Sequence, residues 1–326
     1  MKAICLKQPG GPEQLYLGEA EKPVCGENEV LIEVHATALN RADTLQRQGK
    51  YPPPKGASDT LGLEAAGVVK EVGKSVSNCQ VGDRICCLLG GGGYAEFVKV
   101  HAEHVMPIPS DLDFYEAAAI PEVFLTAYQA IFKIARLEKE EKILIHAGAS
   151  GVGTAAIQLA KSVGAEVFIT ASKPKHSLCL KLGADHAIDY KSQQFDEEIL
   201  EITKGKGVDV LIDFMAASYI NQNLNVLALD GRMVLLALMG GIKAKEINMA
   251  QILAKRLQIT GSTLRSRIDA YKSNLIAGFK RDFLSEFETG KLKPIIDSII
   301  PWTKVVEAHK KMDANLNAGK IILKVK

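Results

Sequence analysis

Gly148, Ser150 and Gly153 stand at the G-x-G-x-x-G spacing inside the run His146-Ala147-Gly148-Ala149-Ser150-Gly151-Val152-Gly153. Small residues at these places suit one task. Gly148 permits a tight turn, a minimal side chain at Ser150 lets backbone N–H groups approach a pyrophosphate, and Gly153 allows a helix to pack closely on a sheet. The loop follows an apolar run at 143–147 and leads into a helical pattern at 154–163, the context that separates dinucleotide binding from a plain tight turn. Ser150 is thereby committed to the loop, so it forms no hydrolase triad with His146.

A dinucleotide enzyme that uses NAD presents an acid to the ribose about 20 residues beyond its glycine loop. Here the second strand runs out through Thr170-Ala171-Ser172-Lys173-Pro174-Lys175-His176, with no acid, while Glu166 sits at the wrong end of that strand. Ser172, Lys173 and Lys175 can hydrogen-bond and neutralise a 2′-phosphate. Cations at a helix start are misplaced unless an anion lies between them. The pattern favours NADPH.

These groups need a scaffold. Apolar strand patterns at 143–147, 167–170, 186–190, 208–213, 233–238 and 257–260 alternate with helical stretches such as 154–163 and 176–182, as in a doubly wound parallel sheet. The first 100 residues read differently, as short strands at 30–36, 67–72, 84–88 and 94–100 separated by turn residues, which predicts a β-rich domain. After Arg267 a long helix, a strand at 295–300, a helix from Val305 and a strand at 321–325 are too little for a third core, so this tail is expected to rejoin the first domain. With 326 residues the chain suits about two domains. Its 40 Lys+Arg and 38 Asp+Glu leave a net charge of +2, giving no electrostatic footprint for nucleic acid or an anionic membrane. Six irregularly spaced cysteines read as reduced thiols, and no leader or long apolar span is evident, so the expected location is cytoplasmic. The run Tyr51-Pro52-Pro53-Pro54 reads as a stiff loop.

Pro9-Gly10-Gly11-Pro12-Glu13, Ala38-Leu39-Asn40-Arg41-Ala42-Asp43, Gly62-Leu63-Glu64-Ala65-Ala66-Gly67, Val81-Gly82-Asp83-Arg84, Gly91-Gly92-Gly93-Tyr94-Ala95-Glu96 and the glycine loop through Gln158 and Lys161 occur in a telling order. Together they resemble the zinc-independent quinone oxidoreductases, the zeta-crystallin-like branch of the medium-chain dehydrogenase/reductases, over essentially the whole chain. The resemblance implies a GroES-like catalytic domain from 1–122 and 267–326, a Rossmann NADPH-binding domain at 123–266, and a homodimer joined through the last Rossmann strands. It implies NADPH contacts at Tyr51, Thr126, Ser150, Gly151, Val152, Lys175, Tyr190, Leu238, Met239, Gly240, Ser262, Thr263 and Leu264, besides Gly148, Gly153 and Ser172 read above from the loop and strand, with Asn317 a further candidate. Tyr51 and Asn40 would face nicotinamide and substrate as the catalytic residues; packing for Tyr190 and turn capping for Asn40 are the plain alternatives. Two departures stand out: Glu140-Glu141 replaces the usual Gly-Asp turn, and the loop near Ser172 is about one residue short.

In zinc alcohol dehydrogenases of the same superfamily, a Cys stands at the position of Asn40 and a His at that of Leu63, and neither Asn nor Leu replaces such ligands. Adjacent Cys86 and Cys87 cannot grip a structural zinc alone. The expected enzyme has no metal. Reducing a ketone yields an alkoxide with a pKa near that of water, about 15.7, whereas a quinone yields a phenolate-like oxygen near 10. Roughly 6 units at 1.36 kcal/mol each amount to about 8 kcal/mol of help that a quinone does not need. Weak donors such as Tyr51 and Asn40 then suffice, with solvent providing the last proton. The expected activity is NADPH:quinone reduction of a small-molecule (ortho-)quinone. An NADPH-dependent enone or enoyl double-bond reductase, or a non-catalytic crystallin-like NADPH-binding protein, is the alternative on this scaffold.

Overall fold

Alternating β-branched residues build the first sheet. In the segment Glu29–Ala38, Val30, Ile32 and Val34 fall on one face, and all three are buried in a core with Val69, Ile85, Val98 and Val105. The computed structural model describes residues 1–326. Its strands, in chain order, are β1 (Lys2–Leu6), β2 (Leu15–Glu19), β3 (Glu29–Ala38), β4 (Glu64–Val72), β5 (Arg84–Leu88), β6 (Phe97–His101), β7 (Val105–Pro107), β8 (Lys142–Ile145), β9 (Glu166–Ala171), β10 (His186–Asp189), β11 (Val208–Asp213), β12 (Leu227–Leu235), β13 (Gln258–Gly261), β14 (Ile296–Pro301) and β15 (Lys320–Lys324).

The chain forms two units, one of Met1–Leu125 with Leu264–Lys326 and the other of Thr126–Thr263. In the first, seven strands make one sheet in the order β14-β15-β3-β4-β5-β7, with β6 also paired to β3. β3 runs antiparallel to both β15 and β4. Its carboxyl end therefore lies beside the starts of both neighbours, and residues 38–40, 64 and 320 meet there. A second core of Leu39, Leu61, Trp302, Val305 and Leu323 draws on both ends of the chain.

In the second unit six strands, all parallel, lie in the order β10-β9-β8-β11-β12-β13. The order reverses between β8 and β11, and doubly wound sheets bind ligands outside the carboxyl ends at such a switch point. Ile143, Leu144 and Ile145 are fully buried, as an uncharged run in the middle of such a sheet must be. The helix after the glycine loop begins at Gly151, three residues before the expected start. β12 also departs from expectation, starting at Leu227 and ending at Leu235. Asp230, with φ +62°, and Gly231 look like a turn in sequence, yet the Asp230 N–H donates to Lys255 O at 2.7 Å and the strand continues. At the unusual Glu140-Glu141 turn, Glu140 takes φ +68°, a region that glycine enters without strain. The Glu141 carboxylate there accepts a hydrogen bond from Arg232. Phe114–Ile134 is long and apolar enough to cross a membrane, but most of it is buried within the protein.

Candidate active site

The parallel topology gathers scattered residues along one edge of the second unit. Gly148, Ser150, Gly151, Val152 and Gly153 follow β8, Ser172 and Lys175 follow β9, and Tyr190 follows β10. Leu238, Met239 and Gly240 follow β12, and Ser262 and Thr263 follow β13. All stand at the carboxyl ends. Thr126 is different, lying on the Pro121–Tyr128 helix upstream of the sheet.

Ser150 is the N-cap of the Gly151–Ser162 helix, its hydroxyl accepting the Gly153 N–H at 3.0 Å. The N–H groups of Gly151 and Val152 have no intrahelical acceptor, so they and the helix dipole can receive an anion. Hydrogen bonds from Met239 N–H to Phe214 O, 3.0 Å, and from Gly240 N–H to Met215 O, 2.8 Å, fix the loop after β12 against the end of β11. The Ser262 hydroxyl is buried without a partner, which fits a ligand that would complete it. His146 is buried and bonded to Thr170 Oγ1 at 2.9 Å and Asn223 Oδ1 at 2.8 Å, and burial holds its imidazole below the usual range. It is a neutral prop beneath the loop. These residues fit a dinucleotide.

At the second strand the sequence reasoning missed an acid. Asp189, at the end of β10, accepts from Lys191 N–H at 3.2 Å and the Ser192 hydroxyl at 3.0 Å. Its desolvation pushes upward, but these bonds and one from the Lys173 backbone hold it below the usual carboxylate range. The carboxylate comes from the neighbouring strand, so a search along the second strand alone could not find it.

In the first unit Asn40 and Tyr51 are set by a buried polar cluster. Lys320 Nζ donates to Asn40 Oδ1 at 2.7 Å, to Leu39 O at 2.8 Å and to Glu64 Oε1 at 2.7 Å. Asn40 Nδ2 donates to the same Glu64 oxygen at 2.8 Å and, at 3.4 Å, to Ala38 O. The amide is thus locked in one orientation, and one Nδ2 hydrogen is held only by the longer bond. Asp43, on the Arg41–Arg47 helix, accepts from the backbone of Asn40 at 2.8 Å and of Gly62 at 3.0 Å. Burial pushes its carboxyl up to about 6 against those two bonds.

Arg265 lies over the Tyr51 ring at 5.3 Å and donates to Gly90 O at 2.8 Å and Gln46 Oε1 at 2.7 Å. It has no hydrogen-bonded carboxylate; burial holds its guanidinium below the usual range, with Asp43, Tyr51 and Glu122 opposing through space. Desolvation raises the Tyr51 phenol above its usual range, with Arg265 opposing and Glu122 reinforcing. Tyr51 therefore keeps its proton and can donate it in a hydrogen bond. Leu264 is buried beside this segment, and Asn317 donates to Gly319 O at 2.8 Å in the turn before β15. Asn40, Tyr51, Leu264 and Asn317 thus belong to the first unit and the carboxyl-edge residues to the second.

Glu64, Lys320 and Arg265 escaped the sequence reading as site residues. The available signals were an acid opening the otherwise small and apolar run Glu64-Ala65-Ala66-Gly67-Val68-Val69, a lysine heading the Ile321-Ile322-Leu323 run, and an arginine beside Leu264.

Fold and site together define a two-unit oxidoreductase scaffold that binds pyridine nucleotide on a Rossmann-like sheet and carries a GroES-like second unit. The alcohol dehydrogenase GroES-like domain family matches residues 26–110, and the zinc-binding dehydrogenase family matches residues 151–279. The quinone oxidoreductase of Rattus norvegicus is 33% identical over 331 residues, 99% of this chain and 97% of the relative. Among solved structures, an NAD-dependent alcohol dehydrogenase aligns with a TM-score of 0.89 at 31% identity, covering 100% of both chains. The Escherichia coli quinone oxidoreductase complexed with NADPH aligns with a TM-score of 0.88 at 29% identity, covering 99% of this chain and 100% of that one. The chain belongs to the medium-chain dehydrogenase/reductase family and is an enzyme, an oxidoreductase acting on a small molecule.

Proposed function

We propose that the protein is an NADPH-dependent quinone reductase that works without zinc. The carrying observation is the state of the position where a metal-dependent relative would place a thiolate. Asn40 stands there with its amide tied to Lys320 and Glu64, and the second ligand position is Leu63, which is buried. An ammonium already balances the Glu64 carboxylate, so a dication would meet repulsion and too few donors. The full-length similarity to quinone oxidoreductases supports the same substrate class.

NADPH, when bound, supplies the hydride. The glycine-loop N–H groups and helix dipole hold its pyrophosphate, Lys175 and Ser172 the 2′-phosphate, and Tyr190, the Leu238-Met239-Gly240 turn, Ser262 and Thr263 the rest. Tyr51 and Asn40 orient the quinone and donate weak hydrogen bonds to the oxygen that gains charge, and Arg265 adds a fixed positive field. A phenolate-like oxygen needs no metal.

A substrate panel tests this reading. NADPH oxidation followed by absorbance should be faster with an ortho-quinone than with an enone, and absence of quinone turnover would refute it. Lys175→Ala should weaken NADPH binding far more than NADH binding; equal losses would overturn the 2′-phosphate assignment.

We further propose a homodimer through β13. This strand ends the parallel sheet with every residue exposed, and the exposed Ile242, Met249, Leu253 and Ile259 accompany it. A bare strand edge with apolar neighbours invites a second copy. Sedimentation at micromolar concentration should give twice the chain mass; a monomer would remove the proposal.

A further inference from the structure

Three carboxyl groups meet in the polar cluster of the first unit, and only one is left incomplete. Asp43 spends its oxygens on the Asn40 and Gly62 N–H groups. Glu64 spends Oε1 on Lys320 and Asn40, and Oε2 on the Glu122 N–H at 2.8 Å. Glu122 has no such partners. Its Oε2 is buried without a hydrogen bond, while the residue as a whole keeps part of its surface accessible.

The charges facing Glu122 explain why it can stay neutral. Glu64 from β4 and Asp43 from the Arg41–Arg47 helix oppose a third negative charge. Lys320 from β15 is already paired with Glu64. Arg265 from the segment before the Asp269–Glu288 helix and Lys272 within that helix act only through space, and Tyr51 also feels the Glu122 charge. An ionised carboxylate left with a bare buried oxygen is costly, whereas the acid form needs less solvation. A carboxylic O–H not engaged in any structural bond, on a residue whose backbone is bonded to the same Glu64 that holds Asn40 and whose charge reaches Tyr51, is a proton in reserve.

We propose that Glu122 is the proton donor of the active site, giving its carboxylic proton to the quinone oxygen that becomes anionic on hydride addition. This assignment rests on the quinone-reductase reading above. Hydride addition brings two electrons and one hydrogen to the quinone. The Glu122 O–H bond then breaks as the substrate O–H forms, and the carboxylate regains a proton from solvent. The net change is quinone, NADPH and one proton going to hydroquinone and NADP⁺. Burial, and then the Glu64 charge, push the Glu122 carboxyl up to about 8, with Lys320 opposing, which leaves it protonated at neutral pH.

The test compares the wild-type protein with Glu122→Gln, which keeps the shape and neutrality of the acid, and with Glu122→Asp. In quinone reduction, kcat for Glu122→Gln should fall on the order of 10²-fold with KM little changed. The wild-type fall in kcat above pH about 8 should vanish in Glu122→Gln and return, at a lower rate, in Glu122→Asp. Difference infrared spectroscopy of the two cofactor-free proteins should show a protonated carboxyl at pH 7 that Glu122→Gln lacks. Unchanged kcat with a retained alkaline limb overturns the inference and leaves the quinone-reductase reading standing. An ionised carboxylate at pH 7 overturns it whatever the enzyme reduces. A wild-type protein inert toward every quinone overturns the reading of function and this donor role with it.

Discussion

Lys320→Met is expected to destabilise the protein by about 3–5 kcal/mol, the loss typical of a buried ion pair deprived of one partner. Lys320 is 3% exposed and Glu64 is fully buried, so solvent cannot replace the missing ammonium. Leu39 O and Asn40 Oδ1 lose their donor at once, and Glu64 Oε1 loses its ammonium and keeps only the Asn40 amide. The Asn40 amide also loses the bond that sets its orientation, so quinone turnover should fall in whatever fraction remains folded. Urea denaturation at pH 7 measures the loss. Combining Lys320→Met with Glu64→Gln removes the stranded charge and should recover much of it. A loss under about 1 kcal/mol, the range of exposed pairs, would show that water reaches the cluster.

The second large effect is expected at the glycine loop. A Cβ at residue 153 would lie 2.4 Å from Ala147 O, 2.6 Å from Gly148 O and 2.7 Å from Gly148 C. These are backbone atoms and cannot rotate aside, so Gly153→Ala must displace the loop that presents the Gly151 and Val152 N–H groups. Overpacking of this kind costs about 1–3 kcal/mol. If the displacement falls on the pyrophosphate contacts, NADPH affinity drops about 10- to 100-fold. Titration calorimetry reads the change directly. Ser150→Ala is the control, because it removes only the cap on Gly153 N–H, a loss of about 1 kcal/mol. An unaltered NADPH affinity in Gly153→Ala would mean that the loop is merely a turn.

Much of the second unit was legible in the sequence because its signals are local. The glycine loop, the buried run at 143–145 and the alternating helices each lie within a short window, and a parallel sheet then carries every following loop to one edge. What stayed hidden arises between strands. Asp189 reaches the end of β9 from β10, and Asp230 hides the true start of β12 by imitating a turn. In the first unit the pairing of Asn40 with Lys320 spans 280 residues, and no local pattern encodes it. Glu122 was masked for another reason. An acid in the first turn of a helix is ordinarily a favourable partner of the helix dipole, so its type at that place raises no question until its buried oxygen is seen to lack a donor.

The placement of β15 between β14 and β3 has a consequence for the newly made chain. The six strands of the inserted unit have all left the ribosome before residue 320 is synthesised, and domains generally fold as units during synthesis. The surrounding sheet has to wait, with β3 open at Ala36–Ala38 beyond its pairing with β6 and Glu64 lacking its ammonium, until β15 arrives to close both gaps. The residue that balances the charge at the proposed active site is therefore also the one that completes the fold, so a chain interrupted before it has neither a sealed sheet nor the ammonium that holds the Asn40 amide.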